Sequence, residues 1–205
     1  MQVRSAAVLV TGLLAAGAML LTGCSQPATS GDVAQQGYQS GDGSTRTWAA
    51  ADRQGPVTLS GTDYEGATQD VTDWAGDVVV LNTWYANCPP CRAEAPDLAA
   101  IADDYADQGV HVLGINHTDA AGTAQAFQTN HGVPYPSIHD EDGSAVAALE
   151  GVVPVNAVPT TIVLDRNGMV AGRILGVVDP STLRSMVDEL VAEPVHAEPA
   201  ATPST

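Results

Sequence analysis

Two cysteines separated by two prolines, Cys88-Pro89-Pro90-Cys91, are the residues of this chain best suited to chemistry. Thiols at this spacing form a reversible dithiol/disulfide couple when one of them opens a helix. The apolar run from Val78 to Trp84 reads as a buried strand just ahead of the pair, and Arg92 to Ile101 continues a helix after it. Cys88 then sits at the helix N-terminus. There, unpaired backbone N–H groups and the positive end of the helix dipole favour its thiolate, which makes it the attacking sulfur. Pro89 is harmless, because first-turn N–H groups lack helical partners anyway. Cys91, one turn in, is expected to be more buried and to act as the resolving thiol. The plain alternative is a structural disulfide, which in so short a loop constrains the unfolded chain little. A metal site needs further ligands and the chain has no second cysteine pair, so neither a metal nor a cofactor is expected.

The elements that position the pair follow in order. Pro56 to Ser60 alternates weakly, Gly61 to Gly66 supplies turn chemistry and Thr68 to Val71 can pair back, so a β-hairpin is expected there. After the strand that ends at Trp84, a helix is expected from Pro89 to Asp107, stopped by Gln108-Gly109. Val110 to Asn116 reads as the next buried strand and Ala120 to Asn130 as a helix. Tyr135 to Ile138 is a short extended piece, and Gly143 to Leu149 a short helix. Thr160 to Asp165 and Met169 to Leu175 are strands joined by the tight turn Arg166-Asn167-Gly168. Asp179-Pro180-Ser181 caps a final helix through Val191. Strands alternating with helices, then a hairpin and a helix, indicate an α/β fold: a central mixed β-sheet flanked by helices.

The chain has 205 residues and a formal net charge of −17, from 7 arginines and 24 acids. So acidic a surface repels phosphate backbones and anionic membranes, which excludes nucleic-acid binding and a basic membrane patch. The N-terminus reads as an export segment. Arg4 precedes an apolar run, Ala6 to Leu21, that is shorter than the ~20 residues of a spanning helix. Leu21-Thr22-Gly23-Cys24 resembles the lipobox of bacterial lipoproteins, which implies cleavage before Cys24 and a diacylglyceryl group on its sulfur. The alternative is an uncleaved anchor helix with an incidental Cys. Two acyl chains suffice for stable anchoring. On this reading residues 1–23 are a signal peptide and 24–47 a lipidated cysteine with a flexible tether. The folded domain runs over 48–191, and 192–205 is a disordered tail. Cys24 is withdrawn by lipid, which leaves Cys88 and Cys91 as the redox pair.

Asn82-Thr83-Trp84-Tyr85-Ala86-Asn87-Cys88-Pro89-Pro90-Cys91-Arg92-Ala93-Glu94-Ala95-Pro96 resembles the active-site signature of thioredoxin-fold proteins, and more narrowly that of the TlpA/ResA branch of thiol-disulfide oxidoreductases. Val158-Pro159-Thr160-Thr161 resembles the same family's cis-proline loop. The resemblance implies a thioredoxin-like fold with an N-terminal β-hairpin and an inserted helix–strand unit. It implies that Pro159 is cis, and that Trp84, Val158 and Pro159 face the substrate. It also implies that Glu94 tunes the thiols and assists proton movement. Glu94 lies three residues after Cys91, a spacing that can bring both to one helix face. The plain alternative is an exposed acid on the helix surface. Asn82 stands where cytoplasmic thioredoxins often carry a buried acid, and it cannot shuttle a proton. One departure is visible: the family usually has Trp directly before the first Cys, and here the residue is Asn87.

The leading expectation is a lipid-anchored thiol-disulfide oxidoreductase on the extracytoplasmic face of a bacterial membrane. It would exchange disulfides with protein substrates. The resemblance implies a reductant role, as in cytochrome c maturation, with apocytochrome c as substrate and a membrane thiol as electron donor. One alternative is an oxidant or a peroxiredoxin-like peroxidase, although the chain lacks a Thr-x-x-Cys peroxidatic site. Another is a non-enzymatic metallochaperone or binding lipoprotein. The five histidines read as strand, loop or tail residues rather than ligands, and Trp84, Tyr85 and Trp74 as core or rim packing rather than a ligand cage.

Overall fold

The computed structural model describes residues 37–152 and 157–194. The signal peptide, Cys24 and most of the expected tail therefore lie outside the described residues. Nine strands are assigned among them: β1 Tyr38–Gln39, β2 Thr45–Thr47, β3 Ser60–Thr62, β4 Thr68–Asp70, β5 Val78–Thr83, β6 Val110–Asn116, β7 Ser137–His139, β8 Thr160–Leu164 and β9 Val170–Leu175. The helices are α1 Pro89–Tyr105, α2 Ala121–His131, α3 Ser144–Ala147 and α4 Pro180–Ala192. None of these helices is long and apolar enough to cross a membrane.

Seven strands form one mixed sheet in the order β1-β2-β9-β8-β5-β6-β7. β5, β6 and β7 run parallel, while β8, β9, β2 and β1 join antiparallel. This is the expected thioredoxin-like α/β arrangement. Buried on both faces, β5 divides its side chains between two cores, as a period of two requires. Val78 and Val80 pack with Leu98 and Ile101 of α1 and Leu183, Val187 and Leu190 of α4. Val79 and Leu81 pack on the other face with Val57, Leu59 and Leu149. α4 begins where its cap residues predict: Asp179 Oδ1 accepts from the Thr182 N–H at 2.8 Å, with Pro180 in the first turn.

Three boundaries differ from expectation. The tether expected through Thr47 ends earlier, because residues 38–47 form a hairpin on the sheet edge, with β2 paired to β9. Its polar residues hid it: an edge strand needs no apolar face, and Asp42 Oδ1 ties the turn by accepting from Ser40 Oγ and the Ser44 N–H. The hairpin expected from Pro56 pairs only Ser60–Thr62 with Thr68–Asp70. The alternation of Val57 and Leu59 reflects burial in the core rather than strand pairing. The domain also runs past residue 191: α4 ends at Ala192, and Glu193 pairs with the buried Arg53.

Candidate active site

The strand-to-helix junction places the cysteines. β5 ends at Thr83, and Trp84 to Asn87 turn the chain into α1. Cys88 is the N-cap residue of α1, with Pro89 following. Its Sγ accepts from the Cys91 N–H at 3.1 Å, so a sulfur takes the place of the usual capping oxygen. Cys88 and Cys91 are joined in a disulfide. In this oxidised state they are buried alike, 1% and 2% exposed. The expected difference in burial is absent because both sit in one apolar cluster with Tyr64, Trp84, Ala95, Ala124 and Phe127.

The turn before Cys88 is pinned at Ala86. Its N–H donates to Asp119 Oδ2 at 2.6 Å, and its carbonyl accepts from Arg92 Nε at 2.9 Å. Asp119 is itself placed by Asn116, the last residue of β6. Asn116 Nδ2 donates to Asp119 Oδ2 at 2.9 Å, and Asn116 Oδ1 accepts from the Thr118 and Asp119 N–H groups. The sequence signal for this was an Asx-type turn at a strand end, Asn116-His117-Thr118-Asp119. The contact to Ala86 was not readable from it.

One turn after Cys91 on α1, Glu94 is almost fully buried, 1% exposed. The exposed-acid alternative is thereby excluded. Its Oε1 accepts from Asn82 Nδ2 at 2.8 Å and its Oε2 from the Val178 N–H at 3.0 Å. Burial pushes its carboxyl up to about 7, while the Val178 and Asn82 bonds hold it down. Asn82 also donates to Thr161 Oγ1 at 3.1 Å, linking β5 to β8 beside Pro159. Asn82 and Cys91 line one small cavity with Trp84 and Tyr135.

The Val158–Pro159 bond is cis, and Val158 packs against the dithiol cluster. Trp84 is packed in the core, as the packing alternative for it expects. It is 5% exposed, stacks on Phe127 with ring centroids 4.5 Å apart, and donates through Nε1 to Ser137 Oγ at 3.2 Å. Gly114 makes that contact possible: a Cβ there would overlap Ser137 Oγ and lie 2.7 Å from Trp84 Nε1. Asn87, at the position where the family usually carries Trp, is exposed and accepts from Arg92 Nη2 at 3.3 Å. Three of the four described histidines sit in packing roles, and His117 is exposed. His111 stacks on Trp74 and bonds Asp77, His131 meets Phe127, and His139 meets Tyr64. Among the described residues no three His, Cys, Asp or Glu side chains gather as a metal site would require.

Residues 51–173 match the AhpC/TSA family. The chain is 31% identical over 106 residues to the thiol-disulfide oxidoreductase ResA of Halalkalibacterium halodurans, a match that covers 52% of this chain and 58% of that protein. It is 29% identical over 155 residues to the thiol:disulfide interchange protein HelX of Rhodobacter capsulatus, covering 75% and 84%. Among solved structures, a secreted thiol-disulfide isomerase from Corynebacterium glutamicum superposes with a TM-score of 0.69 at 36% identity, over 76% of this chain and 97% of that one. A DsbF homologue from Corynebacterium diphtheriae gives 0.65 at 29% identity, over 75% and 99%.

Proposed function

This chain belongs to the AhpC/TSA family and carries the dithiol of a thiol-disulfide oxidoreductase, and from that premise we propose that it is a membrane-anchored, extracytoplasmic reductant of protein disulfides. The observation that carries the reading is the Cys88–Cys91 couple at the N-terminus of α1, with Glu94 buried on the same helix and Val158, ahead of cis Pro159, packed against the dithiol cluster.

The exchange runs in two balanced steps. In the reduced protein, the Cys88 thiolate attacks one sulfur of a substrate disulfide. A Cys88–substrate S–S bond forms, and the other substrate sulfur leaves as a thiolate and takes a proton. Cys91 then gives up its proton and attacks Cys88 Sγ. The intramolecular disulfide closes, and the second substrate sulfur leaves. Two electrons pass from this chain to the substrate, and a membrane thiol donor returns them. Glu94, with a carboxyl raised by burial to about 7 and bonded to Asn82, which lines one small cavity with Cys91, is suited to take up the Cys91 proton. Val158, ahead of cis Pro159 and packed against the dithiol cluster, is suited to meet an extended substrate through its backbone, and apocytochrome c is the substrate class that the family resemblance suggests.

Charge supports the reducing direction. Asp119, which follows β6 and accepts from the Ala86 N–H, adds negative charge near Cys88 that opposes the stabilisation of its thiolate by the N-terminus of α1. A dithiol whose thiolate is not specially stabilised is more reducing than one, such as that of DsbA, whose reduced form is. The peroxidase alternative has no support at the site, where Tyr85 stands in place of the Thr of a Thr-x-x-Cys motif. Anchoring through Cys24 fits the geometry of the chain. Residues 25–37 separate Cys24 from β1, and 13 residues span at most about 45 Å.

The test is reduction of insulin disulfides with dithiothreitol as donor. The wild type should accelerate it, Cys88→Ser should abolish the effect, and Cys91→Ser should accumulate a mixed disulfide through Cys88. A Cys91→Ser protein that traps no substrate would overturn the reading. The mass of the mature N-terminus from a bacterial membrane tests the anchor: it should correspond to a chain beginning at diacylglyceryl-modified Cys24.

A further inference from the structure

Both carboxylate oxygens of Glu94 lead, through hydrogen bonds, to the loop that carries Pro159. On one side Oε1 accepts from Asn82 Nδ2 at 2.8 Å, and the same amide group donates to Thr161 Oγ1 at 3.1 Å, just past Pro159 on β8. On the other side Oε2 accepts from the Val178 N–H at 3.0 Å, and the Gly176 N–H donates to the Pro159 carbonyl at 2.9 Å. The bond to Pro159 extends the β8–β9 ladder beyond the Thr160–Leu175 pair. Gly176 then takes φ +81°, a left-handed conformation open to glycine, and the chain leaves β9. Val177 is 51% exposed, whereas Val178 is buried. Residues 176–178 are thus a strap between a buried carboxyl and the loop whose Val158 packs against the dithiol cluster.

The strength of this hold depends on the charge of Glu94. Its two partners are both N–H donors, which suit an ionised carboxylate: it only accepts, and its bonds are charge-assisted. A protonated Glu94 finds no acceptor in Asn82 Nδ2 or the Val178 N–H, and its bonds to them weaken. Burial, and to a lesser degree Asp97 on α1, raise its carboxyl to about 7 against the pull of the Val178 and Asn82 bonds. Tyr135, on the segment before β7, is pushed up by burial and by the charge of Glu94, so it stays neutral. Cys91, one turn earlier on α1, is in the disulfide, and Glu94 makes no ion pair among the described residues.

We propose that Glu94 is also a positioning residue for the substrate: ionised, it holds the Pro159 loop through the 176–178 strap for an extended substrate segment, and protonated, it relaxes the loop and lets the reduced product leave. The proposal rests on the reading of this chain as a protein-disulfide reductant and adds the step that follows the exchange. The proton is the one Cys91 gives up as it attacks Cys88 Sγ, so completion of the exchange itself loosens the hold on the product.

The test uses the oxidised protein, in which neither cysteine titrates, and an extended peptide with serines in place of its two cysteines, blocked at both ends and free of titratable side chains. This peptide stands for the reduced product. In wild type the amide resonances of Val178 and Gly176 should titrate together with one midpoint, and in Glu94→Gln both should stay flat. Calorimetry should show the peptide bound about tenfold more tightly at about pH 8.5 than at about pH 5.5, the size of one charge-assisted hydrogen bond. Glu94→Gln should bind it weakly at both. A Gly176 amide that does not follow Val178 in wild type would overturn the proposal, and that arm needs no variant to fold. So would equal wild-type affinity at the two pH values, no binding at either, or a pH dependence that survives in Glu94→Gln. None of these readouts involves sulfur exchange, so they can fail while Cys91→Ser still traps substrate, and hold where it traps none.

Discussion

Asn82 Nδ2 donates to Glu94 Oε1 at 2.8 Å, so the residue standing where an acid is often found holds an acid that enters from α1 instead. The carboxyl is moved from β5 to the helix that carries the cysteines. Asn82 serves it as a fixed donor, and the Val178 N–H binds its other oxygen. The pairing leaves a buried titratable carboxyl on the helix that carries the dithiol, and its consequences can be measured.

The pH dependence of exchange should carry the signature of Glu94. Burial raises its carboxyl to about 7, so the wild-type rate should show an inflection near that pH in addition to that of Cys88. Glu94→Gln should lose the inflection and slow the step in which Cys91 resolves the mixed disulfide. Stability of the oxidised protein, in which the cysteines do not titrate, gives a second readout. A carboxyl raised in the fold from 4.5 to about 7 favours the folded state most below pH 4.5, and that advantage is lost as pH rises through 7. The loss is on the order of 3 kcal/mol at 1.36 kcal/mol per unit. Chemical denaturation between pH 4 and 8 should show this slope in wild type and a flatter profile in Glu94→Gln.

Asp119 should act on the dithiol through the turn it holds. Asp119→Ala leaves the Ala86 N–H without its acceptor, at a cost of about 1–3 kcal/mol where the group is sheltered from water. Removing a carboxylate near Cys88 should also lower the thiol pKa and raise the reduction potential. Asp119→Asn keeps an acceptor and removes the charge, so it should shift the potential with a smaller loss of stability. Thermal unfolding and redox titration of the two variants separate positioning from charge.

Arg53 should be the most sensitive position away from the site. Its guanidinium is buried, contacts Asp165 Oδ2 at 2.8 Å, and makes two bonds to the Glu193 carboxylate at 2.8 and 2.6 Å. Arg53→Ala strands Asp165, which is 5% exposed at its side chain, and should cost about 3–5 kcal/mol. Glu193 is 30% exposed at its side chain, so Glu193→Gln should cost less, about 1 kcal/mol. Urea denaturation of both variants checks the order.

What could be read from the sequence was what neighbouring residues decide for themselves. Val78 to Leu81 is apolar throughout and was legible as part of a buried strand. The Cys88–Cys91 pair announced its chemistry by spacing, and Asp179-Pro180 fixed the start of α4. Illegible features depend on partners far along the chain. β2 has no apolar pattern and exists because β9 offers it an edge. Trp84 reads as a substrate contact until Phe127, Ser137 and Gly114 close over it. The similar burial of Cys88 and Cys91 is the work of residues from several elements, Tyr64 and Phe127 among them. Spacing brought Glu94 near Cys91, but its burial depends on Val178, which lies 84 residues away.

The reducing direction is the central claim, and the equilibrium reduction potential of Cys88–Cys91 tests it most directly. Titration against a dithiothreitol or glutathione series, read by the fraction of thiols alkylated, gives the value. A potential near −270 mV, in the range of thioredoxin, is the result predicted here, whereas one near −120 mV, in the range of DsbA, would mark the protein as an oxidant and contradict the account.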